Sequence, residues 1–325
     1  MTRYMRRTTT VASYRILRDS DVYELLSMSD VIRKIEDALR EKTQGTLIAP
    51  PRFRVETDRG ALVFTTGAAT GSEKLIGFRV YDTFPGDHPD RNQIVAVFSS
   101  ETGALKGIVI GHAIGILRTG AIGGVAVKYM ARPDVESLAV LGTGQQARTQ
   151  LEAALAVRDF RTVKVFSRSP EHRRRFVDEM SRKVGRELQG VDSARACVEG
   201  ADVILCATSS STPVFDAEWV KDGAHINTVG PKYVNAHEIP PKLCERSAVL
   251  ATDSLEQLQA YPKPHVAVQV SQVGRITELS DIVTGKAPGR RSAHDVTLFF
   301  SVGLAGTEVV VAGEVLRRAD ERADL

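Results

Sequence analysis

Cysteine is almost missing from this chain: Cys197, Cys206 and Cys244 are the only three in 325 residues, and they lie far apart. An odd, scattered set excludes a disulfide framework and a zinc knuckle, and it fits a reducing cytoplasm. Also missing is any run of about 18 apolar residues. No apolar stretch of about 7 to 15 residues follows the basic opening MTRYMRRTTTVASYR, so neither a membrane span nor a secretory leader is expected. Charge of one sign is not in excess either. The 43 basic and 40 acidic residues leave a formal +3, too near balance for a nucleic-acid-binding surface. No internal repeat is visible. What is present is a globular balance, 42% apolar and 26% charged, over a length that suits two domains.

The texture changes along the chain. SDVYELLSMSDVIRKIEDALREKTQG carries apolar residues at helical spacing, with Ser27 or Ser29 as N-cap and Gly45 as stop, and predicts one amphipathic helix. From Pro51 to Leu105 come short β-rich runs broken by Gly, Pro and Asp, among them RFRVE, ALVFTTG and LIGFRVYDTF. They predict an antiparallel sheet, with a hairpin turn at SETGAL. A small-residue helix, GHAIGILRTGAIGGVAVKYMARPDV, then ends near Pro133, because the residue before a proline is pushed out of the helical region. Beyond it strands and helices alternate, from SLAVLG through TVKVFSRS and ADVILCATSS to AHINTVGP and SAVLATDS. Such alternation predicts an α/β fold with right-handed crossovers and a doubly wound parallel sheet. The closing SAHDVTLFFSVGLAGTEVVVAGEVLRRADERA reads as a final helix.

The sharpest local motif is LAVLGTGQQARTQLEAA. Gly142, Gly144 and Ala147 form GxGxxA between an apolar strand and a helix, and Thr143, Gln145 and Gln146 fill the turn. The first glycine permits a tight turn, the second admits a pyrophosphate to the backbone, and the alanine lets helix and strand pack closely. The helix N-terminus adds partial positive charge for the phosphates. At the end of the second strand, where an acid would bind the ribose 2′-hydroxyl of NAD, the chain has Ser167, Arg168 and Ser169. An arginine between two hydroxyls suits a 2′-phosphate and favours NADP(H) over NAD(H).

In order and spacing, PPRF, LRTGA, LGTGQQA, GAHINTVG and TLFFSVGLA resemble the ornithine cyclodeaminase and mu-crystallin family, from about residue 15 to 318. The resemblance implies a Rossmann domain, residues 133–294, inserted into a second α+β domain for substrate binding and dimerisation, residues 1–132 with 295–325. It also implies a homodimer and a small carboxylate substrate. Carried over residue by residue, Arg52 matches an arginine that binds the substrate carboxylate, and Arg118 one that lies where carboxylate and cofactor meet. Ser301, Val302 and Gly303 match a segment beside the nicotinamide. Thr208, Asn227 and Val229 match cofactor-facing positions.

Two positions depart from the family pattern. Arg79 stands where the cyclodeaminases have a lysine acting near the reacting nitrogen, and Lys232 stands where they have an aspartate that handles the substrate amine. An arginine is a poor proton donor but a good anion clamp. A lysine in place of the aspartate repels an ammonium group. Lys74, five residues before Arg79, could replace the family lysine only through a register shift that would turn it to the other face. Taken together, Arg52, Arg79, Arg118 and Lys232 predict a cationic pocket. The expected activity is an NAD(P)H-dependent reductase of an imine or a 2-keto or imino acid, with Lys232 or His237 as proton donor. The alternatives are true ornithine cyclodeamination and a non-catalytic ligand-binding protein. Glu238 is expected to be structural.

Overall fold

In this computed structural model residues 14–86 and 93–323 are described; the basic opening up to residue 13 lies outside them. The amphipathic stretch after it forms two helices, Asp19–Leu25 and Met28–Gln44. Ser27 divides them. Its hydroxyl accepts from the Asp30 N–H and the Asp30 carboxylate accepts from the Ser27 N–H, a reciprocal cap that starts a second helix where one continuous helix was expected. Gly45, at φ 78°, ends it in the left-handed conformation that glycine adopts without strain.

The β-rich segment forms a seven-stranded sheet in the order Arg15–Arg18, Leu105–Ile110, Ile94–Ser99, Leu75–Asp82, Ala61–Ala69, Leu47–Ile48, with Phe53–Glu56 also paired to Ala61–Ala69. It is antiparallel except where Arg15–Arg18 joins Leu105–Ile110. Within Leu75–Asp82 the side chains alternate, and Leu75, Gly77 and Arg79 are buried on the face that packs against the helix Thr307–Ala323. Lys74 precedes this strand and is exposed. Residues of the opposite face remain open, among them Ile16, Val55, Leu62, Ile76 and Ile94.

The second sheet is parallel throughout. Its eight strands run Gln189–Gly190, Thr162–Phe166, Ser137–Leu141, Val203–Cys206, His225–Thr228, Val296–Phe300, Ser247–Thr252, Ile276–Glu278. Sequence order reverses between Ser137–Leu141 and Val203–Cys206, and in such folds ligands bind above the strand ends at that point. One expectation is corrected here. VTLFF is not the start of the final helix: it is a strand, buried at every residue, between His225–Thr228 and Ser247–Thr252. A five-residue run of branched and aromatic side chains, covered on both sides, reads as a helix or a strand with equal ease. The break at residues 294 and 295 therefore cuts off a strand of the parallel sheet, and the closing helix starts only at Thr307.

The two sheets are joined by the helix Ala113–Met130, whose glycines explain its composition. An added Cβ at Gly120 would lie 2.6 Å from the Thr149 Cβ, and at Gly124 2.9 Å from the Ala153 Cβ. Small residues thus let this helix, which carries Arg118, lie directly against Gln145–Val157, the helix that opens at the glycine motif.

Candidate active site

Above the ends of the strands Ser137–Leu141, Val203–Cys206 and His225–Thr228 lies a cleft of about 900 Å³. Thr143, Gln145, Gln146, Ser167, Arg168, Ser169, Thr208 and Val229 line it, together with Gly142 and Gly144. Gly142 has φ 106°, and a Cβ there would collide with the Ala207 carbonyl oxygen of the adjoining strand end. No other residue fits that turn. Gly144 has the opposite property. A Cβ there would meet nothing within 4 Å, so the missing side chain leaves space in front of a helix that has no side-chain cap and no acid in its first turn. Free backbone N–H groups, dipole and space are what a diphosphate requires, and the motif fits a dinucleotide. Ala147 is buried beneath, within the core.

At the rim Arg168 is exposed and has no ion-pair or hydrogen-bond partner among the described residues. Ser169 is committed differently: its hydroxyl accepts from the His172 N–H at 3.2 Å and caps the helix Pro170–Val184. Asn227 does not face the cleft. Its side chain is buried on the other side of its strand, donating to the Gly123 carbonyl at 2.9 Å and lying 2.8 Å from His225 Nε2. The alternation of a strand turns neighbouring residues to opposite faces, and Asn227 joins the sheet to the Ala113–Met130 helix.

Glu238 ties the strand ends together. Fully buried, it accepts from the Thr208 N–H and hydroxyl, both at 2.7 Å, from the Thr228 hydroxyl at 2.7 Å, and from the N–H groups of Val229 and Gly230 at 3.1 and 2.6 Å. Five donors on one carboxylate make it a fixed support for the crevice floor. Lys232, also buried, turns back on the same turn, and its Nζ donates to the carbonyls of Val229 at 3.2 Å and Gly230 at 2.6 Å. Burial pulls its pKa down to about 8, against the opposing pull of Glu238 and Asp253, and Arg52 pushes it the same way as burial. His237 is half-buried, with Nδ1 3.0 Å from the Tyr233 carbonyl, and clasps its own hairpin.

Arg52 and Arg118 converge on the turn that follows Val296–Phe300. Asp253 shapes it, accepting from the N–H groups of Val302, Gly303 and Leu304 at 2.8, 2.9 and 3.1 Å. The N–H donors of Val302 and Gly303 are thereby committed, and Ser301 is buried beside them. Arg52 binds the outer side of the turn, donating to the carbonyls of Val302 and of Gly303, the latter at 3.3 Å, while its Nη1 donates to the Tyr81 hydroxyl at 3.1 Å and its Nε to Gln257 at 3.0 Å. Gly303 has φ 90°, and a Cβ on it would lie 2.7 Å from Arg52 Nη2 and 3.1 Å from Arg118 Nη1. Both guanidiniums meet at this glycine.

The arginine cluster, none of whose members lines the cleft, is less cationic than the sequence implied, because Glu308 lies between two of them. It is 3.0 Å from Arg118 Nη2 and 3.4 Å from Arg79 Nη1. Although burial pushes its pKa up, Arg118 and Arg79 hold it below the usual carboxylate range. Arg79 is further engaged by Gln93 Oε1, 2.9 Å from its Nε and also bonded by Nη2. Arg118 keeps the most free capacity: its Nε and Nη1 are buried with no hydrogen-bond partner among the described residues, while Arg52 keeps the second N–H of Nη1, whose other N–H goes to Tyr81. Buried donors are rarely left unpaired.

Sequence reading missed Glu308, Asp253, Gln93, Gln257, Tyr81 and Tyr261, whose hydroxyl donates to the Val302 carbonyl at 3.1 Å. Only Glu308 left a local sign, a carboxylate at the head of the apolar run VVVA. The others come from distant segments and meet only through the topology.

Residues 13–323 match the family described as ornithine cyclodeaminase/mu-crystallin. A Delta(1)-pyrroline-2-carboxylate reductase from Bacillus cereus is 30% identical over 320 residues, covering 94% of this chain and 97% of that protein. Among solved structures, a Thermococcus litoralis Delta(1)-pyrroline-2-carboxylate reductase in complex with NADH and L-proline is 31% identical with a TM-score of 0.86, covering 95% of this chain and 98% of the other. An archaeal alanine dehydrogenase dimer with bound NAD is 28% identical with a TM-score of 0.86, over 95% of this chain and 97% of that one.

Proposed function

Because the chain belongs to the ornithine cyclodeaminase/mu-crystallin family, we propose that it is a nicotinamide-dependent oxidoreductase that reduces an imine or a 2-keto or imino acid bearing a carboxylate. The observation that carries this reading is Arg118, a buried guanidinium with two unpaired nitrogens, meeting Arg52 at Gly303. Each of these unpaired N–H groups is a charge-assisted donor for a carboxylate oxygen. The reduced nicotinamide supplies the hydride. In this reading Arg118 and Arg52 hold the carboxylate so that the neighbouring unsaturated carbon faces the cleft, and the turn 301–303 and Val229 form the walls around the ring. Lys232 supplies the proton that the product nitrogen or oxygen gains.

Lys232 also argues against ornithine as substrate. A buried ammonium group of the protein repels a second ammonium in the ligand, and the interaction is strong where water is excluded. The direct test is consumption of NADPH with a panel of cyclic imine carboxylates and of 2-keto acids with amines. Turnover with at least one of them is expected; tight binding without turnover of any would leave a ligand-binding protein.

For the cofactor, NADP(H) is favoured over NAD(H) by the unpartnered Arg168 at the cleft rim and by the lack of an acid there. In Arg168→Ala the Michaelis constant for NADPH is expected to rise by roughly tenfold or more, the loss of one charge-assisted hydrogen bond, with that for NADH unchanged. A wild-type preference for NADH would refute the assignment.

A second copy of the chain is the natural cover for the open sheet face. Ile16 and Val55, each 55% exposed, lie at its two sides, with Leu62, Ile76 and Ile94 between them. An exposed sheet face carrying this many apolar side chains marks an interface. The alanine dehydrogenase of similar fold is described as a dimer. In sedimentation the native chain is expected to run as a dimer, and Ile76→Lys to dissociate it with the fold retained; a stable native monomer would refute this.

A further inference from the structure

We propose that Arg79 is a positioning residue that holds the two carboxylate-binding guanidiniums in register, acting on Arg118 through Glu308 and on Arg52 through Tyr81. The proposal rests on the assignment of Arg52 and Arg118 to the substrate carboxylate. Arg79 sits mid-strand, opposite Thr65 and Val95, on the buried face of the first sheet. A site has been built around its particular shape. Gln93 Oε1 takes both Nε and Nη2, and its orientation is set in turn because Gln93 Nε2 lies 2.9 Å from His112 Nδ1. On the helix Ala113–Met130, Gly115 leaves the space: a Cβ there would lie 2.5 Å from Arg79 Nη2. The Tyr81 ring packs against the guanidinium, 4.5 Å from Cζ to its centroid.

From this centre two arms reach the arginines. In one, Arg79 Nη1 and Arg118 Nη2 share Glu308 Oε1 at 3.4 and 3.0 Å. That contact occupies Arg118 Nη2 and leaves its Nε and Nη1 as the unpaired donors. In the other, the ring that stacks on Arg79 presents its hydroxyl to Arg52 Nη1 at 3.1 Å. A lysine cannot replace these contacts, since its single ammonium cannot take Gln93 twice, reach Glu308 and stack on a ring at the same time. Arg79 therefore neither transfers a proton nor binds the substrate itself. It fixes the angle between the two groups that do, and it shares the one carboxylate that would otherwise collapse wholly onto Arg118.

The test uses Arg79→Lys, Arg79→Met and Tyr81→Phe in the full-length enzyme with NADPH. Three quantities are read: the Michaelis constant for a turned-over imine carboxylate, the pH profile of kcat, and the dissociation constant of pyrrole-2-carboxylate, an unreactive planar carboxylate, by calorimetry. For both Arg79 variants the Michaelis and dissociation constants are expected to rise roughly 10- to 100-fold, one to two misplaced charge-assisted hydrogen bonds. The shape of the pH profile and the Michaelis constant for NADPH stay as in the native enzyme. Tyr81→Phe gives a smaller rise, and combined with Arg79→Met it adds less than its own single effect, because both act on one arm. If Arg79→Met does not fold, Arg79→Lys decides alone. Unchanged affinity in Arg79→Lys with affinity lost in Arg118→Met overturns the positioning role and leaves the carboxylate assignment standing. Unchanged affinity in both overturns the assignment itself. A fall in kcat with a displaced pH profile in Arg79→Lys would make Arg79 a participant in proton transfer and also overturn the proposal.

Discussion

Arg118→Met is expected to lower kcat/KM for the carboxylate substrate by a factor of roughly 100 or more, since two charge-assisted hydrogen bonds are worth about 1.5 kcal/mol or more each and about 1.4 kcal/mol is tenfold. The loss should fall mainly on substrate affinity. Arg118 Nε and Nη1 have nothing to bind in the described residues, and a methionine of similar length has no donors to offer. Arg118→Lys is not expected to restore activity, because a single ammonium cannot hold Glu308 as Nη2 does and also replace the separate Nε and Nη1 donors. Stability must be followed at the same time. Removing Arg118 leaves the buried Glu308 with Arg79 at 3.4 Å as its remaining ion-pair partner among the described residues, and an undercompensated buried charge is destabilising. A thermal melt of the variant separates the two effects: the folded fraction is to be assayed, and native substrate affinity in that fraction would sink the role given to Arg118.

Lys232→Met is expected to lower kcat by roughly 100- to 10,000-fold, the usual contribution of a general acid, and to change how the rate responds to pH. The sign follows from the proton. As the donor in reduction Lys232 must be charged, and its pKa is pulled by burial to about 8. The reductive rate is therefore full below that value and falls as pH rises through it; the oxidative rate, which needs the neutral amine, rises over the same range. In Lys232→Met the limb near pH 8 should vanish. An alkaline limb that persists unchanged in this variant would assign the proton to another group, and the nearest candidate by sequence, His237, is bonded to its own hairpin. Lys232→Asp reverses the charge at this position and is expected to favour substrates that carry an ammonium group.

The legible parts of this fold are those where the signal is local. The glycine motif needed a strand before it and a helix after it, and both are adjacent in sequence; the capping residue Ser27 and the stop Gly45 likewise act within a turn. VTLFF was not legible, because a strand buried on both faces has no alternation to distinguish it from a buried helix. Asn227 shows the same limit at the level of one residue. Its strand end lies at the cleft, but which face it takes depends on where the Ala113–Met130 helix packs, which no neighbour in sequence records. Glu308 changed the site most. Counting arginines alone gave a strongly cationic pocket, whereas one carboxylate from the last helix pairs with two of them. Charge balance in a buried site depends on residues brought from hundreds of positions away.

The proposed reaction carries hydride from the nicotinamide to a carbon beside a carboxylate held by Arg118 and Arg52. The most direct measurement is to supply NADPH deuterated at the transferring position with a cyclic imine carboxylate and examine the product by mass spectrometry and NMR. One deuterium on the carbon next to the carboxylate is the predicted result. Product without deuterium at that carbon, or NADPH left intact with every carboxylate offered, would contradict it.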